Sequence, residues 1–292
     1  MNWDDLKYFL AVARHGQILG AARRLGVSQA TLNRHVTGLE SGLKTSLFNR
    51  STTGCELTKH GRALMQHAIR IEAETLQISS TLSGRESEVS GTVRIGAPDG
   101  FGVAFLAPRL HLLTEKFPKL SVQLVPIPRH FSLSRREADI AVTIGRPEKG
   151  RLRAQKLTDY SLGLYASKSY QKDHDLPTTP EELADHKLVG YVEDLIFTPA
   201  LNYAEHFLGN WHSTIEVSSA LGQMEVVRAG GGIGILHDFI VRDATDLIPV
   251  MPDKRLFRSY WTVWHEDLKN IHRITEVVSF LKELVRAEKM VF

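Results

Sequence analysis

Apolar positions along the chain fall into two textures. Up to about residue 82 they recur at helical spacing, and from Thr92 onward they gather in short runs divided by helical stretches. Leu6, Phe9, Leu10 and Ala13 mark the inner face of a helix over Trp3–His15. Ala21, Ala22 and Leu25 mark a second, short helix that Gly26 closes with a tight turn, and Ser28 stands where an N-cap begins a third. Leu32, Val36, Leu39 and Leu43 then follow at spacings of four, three and four. Gln29, Thr31, Asn33, Arg34, His35 and Thr37 are left to face outward, with Glu40 beyond the leading end of that face. Leu47 to Leu57, with Gly54 and a Ser-Thr-Thr run, reads as a two-stranded hairpin. Thr58 is the expected N-cap of a long helix to about Leu82. Its stripe Leu64, Ala68, Ile71, Thr75, Ile78 and Leu82 is either a self-pairing coiled-coil seam or a face lying against its own domain.

The polar, Gly-bounded segment Gly84 to Gly91 reads as a hinge. Beyond it come TVRIGA, a helix over Phe101 to Lys116, SVQLVP, ADIAVTIG, SLGLYA, KLVGYV, STIEVS, a helix over Ala220 to Ala229, GIGIL and YWTVWH. This alternation predicts an α/β domain with mostly parallel strands. In such sheets a ligand lies beyond the carboxyl ends of the strands. The loops in that place are Pro98 to Phe101, Pro128 to His130, Ile144 to Arg146, Val192 to Asp194, Val217 to Ser219 and Gly231 to Gly232.

Charge gives the first texture a chemistry. The net charge of +3 conceals a polarity: residues 1–70 carry ten Lys or Arg against four Asp or Glu, whereas the rest carries 26 against 29. A basic module whose third helix shows donors and acceptors but no carboxylate suits a major groove, and a helix-turn-helix with a basic wing is the arrangement that enters one. Asn49, Arg50 and Ser51 then either reach a phosphate or the minor groove, or form a solvated hairpin tip.

Other chemistries find less support. Cys55 is the single cysteine, which excludes an internal disulfide. His265-Glu266 has Lys269 where a zinc-binding helix needs its second histidine, and GGGIG at Gly230–Gly234 lacks the residues of a phosphate loop or dinucleotide fold. Gly230–Gly234 reads better as a helix end turning into a strand. No apolar run reaches the ~18 residues of a membrane span, and MNWDD lacks the order of a signal peptide, so the expected compartment is the cytoplasm.

These residues resemble the LysR-type transcriptional regulators. The family pattern is present as Ala21, Ala22, Leu25, Ser28, Gln29, Leu39, Glu40, Leu47, Phe48, Arg50, Leu57, Thr58 and Gly61, and GTVRIGA, READIAVTIG and VVRAGGGIGIL resemble its effector domain. The resemblance implies a winged helix-turn-helix over residues 1–58, a linker and dimerisation helix with hinge over 59–91, and a two-lobed α/β effector domain over 92–292 similar to type 2 periplasmic binding proteins. Lobe I is expected over about 92–162 plus 267–292, and lobe II over about 163–266. It further implies double-stranded operator DNA as partner, a homodimer or dimer of dimers, and a small metabolite effector with no other cofactor or metal. Contact with RNA polymerase is left open.

The expected DNA-facing residues are Ser28, Gln29, Ala30, Thr31, Asn33, Arg34, His35, Thr37, Arg50 and Ser51. The expected effector-facing residues are Asp99, Gly100, Phe101, Pro128, Arg129, Ile144, Arg146, Val192, Glu193, Ser218 and Ser219. Two departures stand out: Ala30 replaces a frequent proline, and Asn33, able to pair with adenine, replaces a frequent serine. Relatives often place Ser or Thr where this chain has Asp99. That residue either caps the helix at Phe101 or touches the ligand, with Arg129 and Arg146 restoring attraction for an anion. The competing reading is a ligand-binding module, or an enzyme, on a solute-binding fold with a non-regulatory N-terminus.

Overall fold

In the computed structural model, which describes residues 3–51, 54–82, 88–126, 138–147, 150–196 and 198–292, the N-terminal apolar stripes close on one another. Helices α1 (Trp3–His15), α2 (Ile18–Leu25) and α3 (Gln29–Leu43) precede a hairpin of β1 (Phe48–Ser51) and β2 (Gly54–Leu57), then α4 (Lys59–Leu82). Their core is Leu6, Phe9, Leu10 and Val12 from α1, Ala21 and Ala22, Leu32, Val36 and Leu39, with Leu47, Phe48, Ala68 and Ile69. Each large side chain so buried contributes about 1.5–3 kcal/mol. Val12 takes the buried place expected of Ala13, which is only partly covered. Leu43 is 37% exposed, because α3 ends there on Lys44 in the left-handed region.

Turns and caps fix this unit. Gly26 takes φ 66° and its N–H bonds back to α2, as the tight turn requires. Thr58 Oγ1 accepts from Gly61 N at 3.0 Å and donates to Ser46 O at 2.8 Å, so one side chain starts α4 and ties it to the strand entry. The approach is close enough that a Cβ on Gly61 would stand 2.1 Å from Leu47 O. A forked pair, Arg14 Nη1 and Nη2 to Glu72 at 3.0 and 2.6 Å, holds α4 against α1. Along the α4 stripe Ala68 is buried and Ile71 is 41% exposed, while the side chains of Ile78 and Leu82 lie outside the described residues.

Residues Val89–Phe292 form a second unit around a nine-stranded sheet. In chain order its elements are β3 (Ser90–Ala97), α5 (Leu110–Lys116), β4 (Lys119–Pro126), β5 (Ile140–Ile144), β6 (Leu152–Ser167), α6 (Lys168–Asp173), β7 (Leu188–Gly190), α7 (Ala204–Phe207), β8 (Ile215–Glu216), α8 (Ala220–Arg228), β9 (Ile233–His237), α9 (Asp238–Val241), β10 (Leu247–Val250), β11 (Leu256–His265) and α10 (His272–Ala287). The strand order is β4-β3-β5-β11-β6-β9-β7-β8, with β10 also on β6. Helix α10 buries Ile274, Val277, Val278, Leu281, Leu284 and Val285 at helical spacing and packs on β3 and β6.

Three expectations for this unit are corrected. The sheet is mixed rather than mostly parallel: β3 pairs in parallel with β4 and β5, and β7 with β8 and β9, but every pairing of β6 and β11 is antiparallel. YWTVWH, expected in lobe II, pairs through Tyr260–Trp264 with β5, a strand expected in lobe I. The stretch from Phe101 to Lys116 is not one helix. It is a π-helix (Gly100–Leu106), a 3-10 turn holding Pro108, and α5, since proline lacks the N–H that would continue the ladder.

Candidate DNA interface and effector site

Ser28 caps α3 as its spacing predicts, accepting from Thr31 N at 3.1 Å and sharing a 2.8 Å bond with Thr31 Oγ1. From that start Gln29, Ala30 and Arg34 project as exposed residues, with Thr37 exposed one turn further on. Arg34 has no ion-pair partner among the described residues.

Two residues expected on this face are not free to serve it. His35 stacks on Tyr8, ring centroids 4.2 Å apart, and its Nδ1 bonds Asp5 Oδ1 at 2.9 Å. It is a strut between α3 and α1, because the outward angle at position 35 points at α1 rather than at solvent. Asn33 is partly buried, and its Oδ1 is shielded without a partner. Both ends of the amide must be presented to read adenine bidentately, so this rotamer cannot do it.

The wing is set by Glu40, which sequence reading placed outside the site. Glu40 Oε1 accepts from Leu47 N at 2.7 Å and Phe48 N at 3.2 Å, and Oε2 accepts from Arg50 Nη2 at 3.1 Å. Arg50 is therefore aimed by α3 and still 40% exposed. Ser51 is exposed and donates to Gly54 O across the hairpin. Cys55 sits on β2, its N–H bonded to Gly16 O.

In the second unit, two expected residues from distant segments meet directly: Ser219 Oγ donates to Asp99 Oδ2 at 2.6 Å. The same Oγ accepts from Gly222 N, capping α8. Asp99 makes no capping bond to the π-helix that follows it, so the expectation of a helix cap there is corrected. A Cβ on Gly100 would come within 3.3 Å of Ala220 Cβ and 3.0 Å of Ile240 Cδ1, so this turn lies directly against α8 and α9.

Other expected effector residues scatter. Phe101 is buried in an aromatic stack with Phe105, Tyr260 and Phe292. Ile144 is paired with Tyr260. Arg146 lies over the Trp261 ring, 5.9 Å from its centroid, on the sheet face opposite Tyr260. Val192 precedes a short 3-10 turn in which Glu193 is exposed, and Ser218 is partly covered. Pro128 and Arg129, with His130, lie outside the described residues.

Beside Asp99 lies a cluster that sequence reading missed. Tyr160 and Tyr260 stack at 4.1 Å, Tyr160 and Tyr203 share a 3.2 Å hydroxyl bond, and His237 stacks on Tyr160 at 5.3 Å. Burial pushes the Tyr160 and Tyr260 phenols well above their ordinary pKa and that of Tyr203 to about 12, while it pulls the His237 imidazole down to about 4. The cluster is thus neutral at physiological pH. Next to it Asp238 accepts from Ser161 Oγ at 2.5 Å and Tyr165 OH at 2.7 Å, and pairs with Arg255 at 3.2 Å. No local signal foretells these contacts, since each tyrosine sits in an ordinary strand or loop context.

Among the described residues no group of His, Cys, Asp and Glu is arranged to hold a metal, and no helix is long and apolar enough to cross a membrane.

Likeness to known proteins runs along the whole chain. Residues 3–62 match the family described as bacterial regulatory helix-turn-helix protein, lysR family, and residues 86–286 match the LysR substrate binding domain. The HTH-type transcriptional regulator CrgA of Neisseria meningitidis serogroup C is 28% identical over 97% of this chain and 96% of its own. The HTH-type transcriptional activator TtdR of Escherichia coli is 26% identical over 95% and 91%. The solved structure of CrgA superposes with a TM-score of 0.61 at 25% identity, covering 97% of this chain and 98% of that one. A full-length OxyR variant from Pseudomonas aeruginosa shares the fold with a TM-score of 0.72 at 20% identity, over 98% and 95%. The relatives are transcriptional regulators rather than enzymes. With its helix-turn-helix formed and its substrate-binding domain matched nearly end to end, the chain belongs to the LysR family of DNA-binding transcriptional regulators.

Proposed function

We propose that this regulator reads its operator with the first turns of α3, Gln29, Ala30, Thr31 and Arg34 meeting base edges while Thr37, Arg50 and Ser51 follow the phosphates. The observation that carries this is the exposed, carboxylate-free face made by Gln29, Ala30 and Arg34 behind a capped helix start. His35 and Asn33 are left out of the reading set because of the contacts described above.

One such helix buries little surface, so the protein works as a homodimer or dimer of dimers on two or more half-sites, with α4 as the pairing element. The exposure of Ile71 within the α4 stripe supports that role. A small molecule held in the second unit, beside Asp99 and Ser219, shifts the arrangement of the DNA-binding pairs. Linkage requires operator DNA to change effector affinity by the same factor.

The test is a gel shift with the DNA upstream of the protein's own coding region. Arg34→Ala and Gln29→Ala should each weaken specific binding by roughly 1–3 kcal/mol. Unchanged operator affinity in both variants refutes this face as the reader.

A further inference from the structure

Two opposite charges flank the tyrosine cluster, and neither has an ion-pair partner among the described residues. Asp99, partly exposed, is held among the described residues by the Ser219 hydroxyl. Arg258 stands two residues before Tyr260 on β11 and so on the same face of the sheet. Its Nε donates to Ala200 O at 3.2 Å and its Nη1 to Phe257 O at 3.0 Å. Both acceptors are backbone carbonyls, so the guanidinium is positioned without being neutralised.

The residues between them are contiguous. The ring of Phe101, two residues after Asp99, lies 4.9 Å from Tyr260, which stacks on Tyr160, whose hydroxyl meets that of Tyr203, three residues after Ala200. The Tyr203 phenol feels both ends: burial raises its pKa most, Arg258 pulls it down and Asp99 adds to the rise. The Tyr260 hydroxyl is fully buried and, although the Tyr160 phenol bears on it, makes no well-formed hydrogen bond among the described residues. Unpartnered polar groups beside two unpaired charges are costly in a folded protein unless something else completes them.

We propose that the effector is a small zwitterion of the amino-acid type, its protonated amine on Asp99 and its acid group on Arg258, with the tyrosines as its walls. This rests on reading the second unit as the effector-binding domain. A simple anion would meet the Asp99 carboxylate, and a simple amine would meet the Arg258 guanidinium; a molecule carrying both charges satisfies both.

The experiment titrates the full-length protein with free amino acids, followed by thermal shift and calorimetry. Each ligand found is compared with its decarboxylated amine and its deaminated acid. At least one amino acid should bind, and both half-molecules should bind more weakly. Asp99→Asn, which keeps an oxygen for Ser219, should cost roughly tenfold to a hundredfold in affinity, as should Arg258→Gln. No binding by any amino acid overturns the proposal, as does a deaminated acid that binds as tightly as its parent. A ligand of another class whose affinity Asp99→Asn leaves unchanged overturns the zwitterion and leaves the effector reading standing. The effector reading itself falls if no compound in a wider metabolite panel binds and operator affinity never responds.

Discussion

Glu40 offers a sharp test of how α3 and the wing form one DNA-binding surface. Its side chain is 16% exposed, and its two oxygens hold the amides of Leu47 and Phe48 and the guanidinium of Arg50. Truncation to Ala strands two N–H groups at the start of the wing, where Leu47 and Phe48 are 1% and 5% exposed. Partial access of water to the vacated space limits the loss to about 3 kcal/mol. Glu40→Gln behaves differently. The amide oxygen still accepts from both backbone donors, and only the contact with the half-exposed Arg50 is lost, about 1 kcal/mol or less. Amide hydrogen exchange in the full-length protein reads both. Protection at Leu47 and Phe48 should fall about a hundredfold in the Ala variant and about fivefold or less in the Gln variant. Operator affinity should drop in the Ala variant although the exposed face of α3 is untouched. Equal loss of protection in the two variants would show that the charge, not the paired acceptors, holds the wing, and no loss in either would refute the role altogether.

Two further outcomes follow from packing and burial. Gly61→Ala places a methyl 2.1 Å from Leu47 O, so the wing entry or the start of α4 must shift; a loss of roughly 1–3 kcal/mol is expected, and an unchanged melting temperature would contradict it. His237 titrates at about 4 folded against 6.5 ordinarily. The unfolded chain therefore binds more protons between those values, and stability falls as pH drops through the window, by about 3 kcal/mol at its lower end. Denaturant midpoints recorded from neutral to acid pH should show that slope, and His237→Gln should flatten it; an identical slope in the variant would place the titration elsewhere.

What could be read from the chain divides by the range of the contact. Ser28 as a cap, Gly26 as a left-handed turn and Thr58 as the start of α4 depend on neighbours within a few residues, and their residue types state them directly. His35 looks just as polar and outward on a helical wheel, yet Asp5 and Tyr8 claim it from the other end of the unit. Asp99 before a helical stretch has the grammar of a cap, but its partner lies 120 residues away and the helix it precedes is a π-helix. The first half of β6, with Arg153, Lys156 and Asp159 interrupting its apolar residues, carries no clean alternation, so its length was hidden until β11 was there to pair with it. Tyr160, Tyr203 and Tyr260 are assembled only by the sheet.

Sheet topology then constrains where a ligand can act. Strands β6 and β11 belong to both halves of the sheet: β11 joins β5 to β6, and β6 goes on to β9 and β10. Any rotation of the β3–β4–β5 half against the β7–β8–β9 half must be absorbed in these two strands. Their shared ladder is irregular at one place, where Tyr260 faces Thr158, Trp261 faces Lys156 and Leu157 is left without a partner. A bulge is where a ladder bends and twists most readily. Tyr260 is at once a residue across from that bulge, the stacking partner of Tyr160 and the neighbour of Phe101 behind Asp99. A ligand that fixes the separation of Asp99 and Arg258 therefore acts on the compliant point of the sheet itself. Under the proposal, such a ligand would distinguish between arrangements of the two sheet halves through its own two contacts, which is the differential affinity that a conformational switch needs. Amino-acid affinity measured with and without operator DNA reads this coupling, and equal values would mean that the bulge bends without the DNA-binding unit responding.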